Sequence, residues 1–95
     1  MFMKDLIYKH LNGSQVKGIL TSLEFRLLEL SKLLPEGDFQ IKSLKERTFS
    51  LEGRYNNRSY SVDETLLACK EKDPSLYLEI IDLLDDANKS FSIYL

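Results

Sequence analysis

The stretch that most constrains the fold is Thr48–Val62, because one turn placement sets its whole register. With Asn56-Asn57 at a two-residue turn, Tyr55 pairs with Arg58, Arg54 with Ser59, Gly53 with Tyr60, Glu52 with Ser61 and Leu51 with Val62. Phe49, Leu51, Gly53 and Tyr55 then share a face with Tyr60 and Val62, while Ser50, Glu52, Arg54, Ser59 and Ser61 share the other. One apolar face and one polar face are what a sheet covered on one side requires. Asn tolerates positive φ, which suits the turn. The stretch therefore predicts a β-hairpin. It predicts architecture and no chemistry.

Upstream, Val16, Leu20, Leu23, Leu27, Leu30 and Leu34 step by 4, 3, 4, 3 and 4. This heptad seam predicts a helix over about residues 15–34, with Ser14 as N-cap. Ile19, Leu28 and Leu33 widen the stripe beyond that of a two-stranded coiled coil, so it reads as a core helix, with Phe25 lying off it. A short helix over residues 3–11 precedes it and ends at Asn12-Gly13, where glycine accepts the left-handed conformation. Pro35-Glu-Gly-Asp38 is a turn, and the alternation of Phe39 and Ile41 with polar neighbours predicts a strand. After Val62 the period changes. Asp63, or Ser61 with Glu64, starts a helix carrying Leu66, Leu67 and Cys69. Asp73-Pro74 starts another, with Asp as N-cap and Pro at the first helical position. That helix reaches about Asn88 and buries Leu76, Tyr77, Ile80, Ile81, Leu83, Leu84 and Ala87. Phe91, Ile93 and Leu95 alternate with polar residues, so the tail at 91–95 is a candidate fourth strand. The expected fold is α+β: one domain over residues 1–95, a three-stranded antiparallel meander packed against helices.

Composition narrows function mostly by exclusion. Ninety-five residues with 43% hydrophobic content suffice for one modest core. Thirteen basic and fifteen acidic residues, a net charge of -2, do not suit a general nucleic-acid or membrane-surface binder. The single cysteine excludes an internal disulfide framework. The first residues contain no apolar leader region, and no apolar run reaches membrane-spanning length, so the expected location is the cytoplasm. Gly13-Ser-Gln-Val-Lys17-Gly18 lacks the residue order and the preceding strand of a phosphate loop.

Candidate chemistry is sparse. His10 is the only histidine, and Cys69 sits among apolar neighbours, where a thiolate is disfavoured. Neither belongs to a recognisable catalytic or metal set, so no catalytic residue, cofactor or metal is expected. Residues 63–86 are rich in acid, and Glu79, Asp82 and Asp86 step along one helix face beside Asp85. Asp85 and Asp86 fall near the expected C-terminal end of that helix, where negative charge is unfavourable, which hints at a basic partner. Arg54 and Arg58 stand on the polar side and at the turn of the expected hairpin. A basic hairpin separated from an acidic helix makes a dipolar surface suited to oriented association. The expectation is a non-enzymatic protein-binding regulator, inhibitor or adaptor using Glu79, Asp82, Asp85, Asp86, Arg54, Arg58 and Phe25. The alternative is a nucleic-acid-binding regulator using the basic hairpin. A weak homodimer through Phe25 and Leu28, or through an unpaired strand edge, is the expected form of self-association.

Overall fold

The apolar positions from Val16 onward do form a helix, as their spacing requires. The computed structural model describes residues 8–33, 39–58 and 61–94, the last five of these as backbone only. Helix α1 spans Gly13–Leu33 and buries Val16, Leu20, Leu23 and Leu27. Its cap is Asn12, not Ser14. The Gln15 amide donates to Asn12 Oδ1 at 2.9 Å, and the Asn12 amide donates to Gln15 Oε1 at 3.0 Å. This reciprocal pair is a capping box, and it satisfies two amides that the first turn would otherwise leave unpaired. Gly13 is the first helical residue, so its value is space rather than a left-handed backbone. A β-carbon there would lie 2.6 Å from the Ser61 carbonyl oxygen.

The hairpin is absent. Residues Phe39–Asn57 form one continuous helix, α2, which takes in the expected strand at 39–43 as well as the first expected hairpin strand. Asn56-Asn57 ends that helix instead of turning a hairpin. Its buried positions are Ile41, Leu44, Thr48, Leu51 and Tyr55, a 3, 4, 3, 4 repeat. Thr48 hides the repeat because it is polar. Its hydroxyl donates to the Leu44 carbonyl at 2.7 Å, so a fully buried threonine keeps its hydrogen bond inside its own helix. Phe49 and Leu51, which a strand would place on one face, diverge: Phe49 is 75% exposed and Leu51 only 4%. Val62, the expected partner of Leu51, is exposed. Tyr60, the expected partner of Gly53, lies outside the described residues, as do the turn at 35–38 and most of the expected first helix.

Helix α3, Leu66–Lys72, is capped by Thr65 rather than by Asp63 or Ser61. The Ala68 amide donates to Thr65 Oγ1 at 3.4 Å. Helix α4, Pro74–Tyr94, starts at Asp73 as that dipeptide predicts, with the Leu76 amide donating to Asp73 Oδ1 at 3.2 Å. The Asp73 amide also donates to the Cys69 carbonyl at 2.8 Å, so one residue closes α3 and opens α4. All seven core positions expected on α4 are buried. The helix does not stop near Asn88. It continues through residues 91–94, so the tail is not a strand, and Leu95 lies outside the described residues.

The architecture is therefore all-helical, not α+β, and no strand or meander exists among the described residues. α1 packs on α2, α2 on α4, and α3 on α4. Their buried side chains form one cluster, joined at its edge by Tyr8, Leu11, Ile19 and Leu30. Full burial of each Leu or Ile contributes roughly 1.5–3 kcal/mol, which outweighs the modest helix propensity of α2. A backbone stitch closes the bundle: the Leu66 amide donates to the Leu11 carbonyl at 2.7 Å, Leu67 to Lys9 at 2.9 Å, and Ser14 to Val62 at 3.4 Å. Asn12 and Thr65 form an isolated antiparallel bridge within it.

Candidate interaction surface

Of the charged residues singled out in the sequence, Arg54 and Glu79 meet each other, and Arg58, Asp85 and Asp86 each meet another charged residue of the chain. Arg47 and Arg54 on α2 and Arg58 just past its end pair with residues that run the opposite way, from Asp86 and Glu79 on α4 to Asp73 at its cap. Arg47 Nη1 lies 2.9 Å from Asp86 Oδ2, Arg54 Nη1 2.5 Å from Glu79 Oε2, and Arg58 Nη2 2.9 Å from Asp73 Oδ2. Glu79 also accepts from the Ser75 hydroxyl at 3.3 Å. The pairing follows from two helices packed antiparallel with complementary edges. It removes the separation of basic and acidic surfaces on which a dipolar docking mode depends. Asp85 pairs with Lys89 one turn along α4, at 3.1 Å. Because α4 continues to Tyr94, Asp85 and Asp86 are more than one turn from its end, and the dipole argument for a basic partner lapses. Asp82 borders a cleft of about 280 Å³ between α2 and α4, lined by Arg47 and Glu79 among others.

Cys69 is buried in the core, and His10 is exposed in the segment before α1. The nearby Tyr55 hydroxyl is pushed up to about 12, chiefly by burial and then by Cys69 and Glu64. It therefore stays protonated at neutral pH. Among the described residues, no group of three or more His, Cys, Asp or Glu side chains is placed to hold a metal ion. Again among the described residues, no helix is long and apolar enough to cross a membrane.

The face that remains is apolar, and it lies on α1 and α2 away from α4. Phe25 and Leu28 sit one turn apart on α1, 65% and 43% exposed, and Phe49 on α2 is 75% exposed. Leu28, Phe49, Glu24, Lys45 and Glu46 line a groove of about 390 Å³. Sequence reading found Phe25 and Leu28 but missed Phe49, which the hairpin register had placed in the core. Recognising the 3, 4 spacing through Thr48 would have exposed Phe49 at once.

At one end of this groove Glu24 of α1 faces Glu52 of α2. Burial first, and Glu52 second, raise the Glu24 carboxyl above the ordinary glutamate value. Glu24 Oε1 and Glu52 Oε2 are both shielded from solvent and unpartnered. Two ionised carboxylates can only accept, so a hydrogen bond between them requires one to be protonated. This contrasts with the matched pairs along α2 and α4: here two acids face each other.

The chain matches no protein-family model, no curated protein and no solved structure.

Proposed function

We propose that this chain is a small protein-binding regulator or adaptor, acting in the cytoplasm without catalysis, and that its docking face is the α1/α2 surface around Phe25, Leu28 and Phe49. The observation that carries this reading is that exposed Leu28 and Phe49 line one groove between α1 and α2, with exposed Phe25 one turn from Leu28, while the core of the same helices is filled by other residues. Large aromatics on a rigid helical face supply contact area at little entropic cost, and contiguous apolar patches on soluble domains mark interaction sites. The arginines do not favour nucleic acid, because Arg47, Arg54 and Arg58 are each engaged by a carboxylate of the same chain.

A photo-crosslinking amino acid placed at position 25 or 49 tests the reading in the native host. The expected result is one shared set of adducts from both positions, lost on Leu28→Ser and absent when the crosslinker replaces exposed Glu71 on α3. Equal adducts from position 71 would remove the α1/α2 face from consideration.

A further inference from the structure

We infer that the occupant of this face is a second copy of the same chain, docked with its α2 antiparallel to the first about a two-fold axis near Phe49. The inference rests on the docking-face reading above and adds the identity of the partner.

One stripe of α2 is self-complementary when reversed. Lys45, Phe49 and Glu52 occupy positions i, i+4 and i+7, so they share one side of the helix across about two turns. Read along the chain, the stripe runs cation, aromatic, carboxylate. Read in reverse, it runs carboxylate, aromatic, cation. Two copies laid antiparallel with Phe49 over Phe49 therefore bring each Lys45 to the other copy's Glu52. A two-fold contact requires this kind of self-complementary patch.

The monomer carries an electrostatic defect that such pairing corrects. Glu24 and Glu52 face one another, and Glu24 Oε1 and Glu52 Oε2 are shielded and without a hydrogen-bond partner. In the paired form the ammonium of the second copy's Lys45 arrives beside both carboxylates. The apolar middle of the contact comes from Leu28 and Phe49, which line the groove. Glu46 stands next to Lys45 and borders both this groove and the Arg47–Glu79 cleft.

Charge exchange tests this directly by sedimentation over a range of concentrations. The parent chain is expected to dimerise. Lys45→Glu and Glu52→Lys are each expected to weaken dimerisation by about tenfold or more, because each sets like charges together. Mixing the two variants is expected to restore a heterodimer, since every contact between the two copies then joins opposite charges. Phe49→Ser is expected to abolish the dimer while leaving the helical circular dichroism, and the melting of the dilute protein, unchanged, because the ring is exposed in the monomer. A parent chain that stays monomeric up to millimolar concentration overturns the second-copy inference. If Phe49→Ser still removes hydrophobic-dye binding from that monomer, the docking face itself survives. A dimer indifferent to Phe49→Ser overturns both, and a dimer whose charge-swapped mixture fails to reassociate overturns the antiparallel arrangement.

Discussion

Arg47 and Asp86 are 39 positions apart in the chain and 2.9 Å apart in space, and this contact, with Arg54–Glu79 two turns away, marks the antiparallel register of α2 and α4. Both pairs are partly exposed, so water and salt screen them. Arg47→Ala and Arg54→Ala are each expected to cost no more than about 1 kcal/mol in urea unfolding, with the effect shrinking at high salt. A loss several times larger for either would mean that the pair does more than align two helices already held by their apolar sides.

Phe49 and Leu51 separate the helix from the hairpin most sharply. In a hairpin they share a buried face, and both substitutions would be severe. In α2, Leu51→Ala empties a core position and is expected to cost about 2–5 kcal/mol. Phe49→Ser on the exposed side is expected to change the stability of the dilute protein by about 0.5 kcal/mol or less. Thermal melts of the two variants, side by side, decide between the folds.

Two glycines are expected to respond in opposite directions to alanine. Gly53 lies inside α2 with nothing near the place a β-carbon would take. Gly53→Ala should stabilise by about 0.5–1 kcal/mol through lower unfolded-chain entropy and better helix propensity. Gly13→Ala drives a methyl against the Ser61 backbone and should destabilise by about 1–3 kcal/mol. Chemical denaturation reads both signs.

The Glu24–Glu52 pair predicts a pH signature. The folded Glu24 carboxyl holds its proton more tightly than the ordinary value of 4.5, so the folded state binds more protons than the unfolded chain. The stability this contributes is complete below the ordinary value and is lost as pH rises through the raised folded value. Glu24→Gln removes the repulsion permanently. It should raise the melting temperature at neutral pH in dilute protein, and the advantage should vanish on acidification below the glutamate range. An advantage independent of pH would exclude the carboxyl pair as its source.

Cys69 is enclosed by the core, so a thiol reagent reaches it only when α3 opens. Native labelling is expected to be slow and to accelerate with urea. Immediate stoichiometric labelling in buffer would contradict the packing of α3 on α4.

Much of α1 and α4 was legible in the sequence because their apolar spacing is uninterrupted and their core positions are conventional hydrophobes. The Asp73-Pro74 start of α4 was legible for a local reason: the side chain caps the same turn that proline begins. α2 was misread for an equally physical reason. Thr48, Phe49 and Tyr55 favour strands, Gly53 disfavours helices, and Phe49, Leu51, Gly53 and Tyr55 happen to alternate. Tertiary burial on α1 and α4 overrides those local preferences, with Thr48 admitted to the core through its own-helix hydrogen bond. The arginine–carboxylate pairs depended on the same misreading: Arg54 and Arg58 looked available only because their helix, and hence its neighbour, had not been recognised.

The stitch between residues 9–14 and 61–67 has a consequence for how the chain acquires and loses its structure. It encloses α1 and α2 whole, so the loop it closes, 48 to 58 positions, is longer than the 39 positions that separate Arg47 from Asp86 across α2 and α4. The entropy of closing that loop falls due only after both helices exist, which puts the stitch late on the folding route. Substitutions there, Gly13→Ala among them, should therefore speed unfolding while leaving the refolding rate almost unchanged. The lifetime of the native state is then governed where two irregular segments meet, and not within the helical core that supplies most of its free energy.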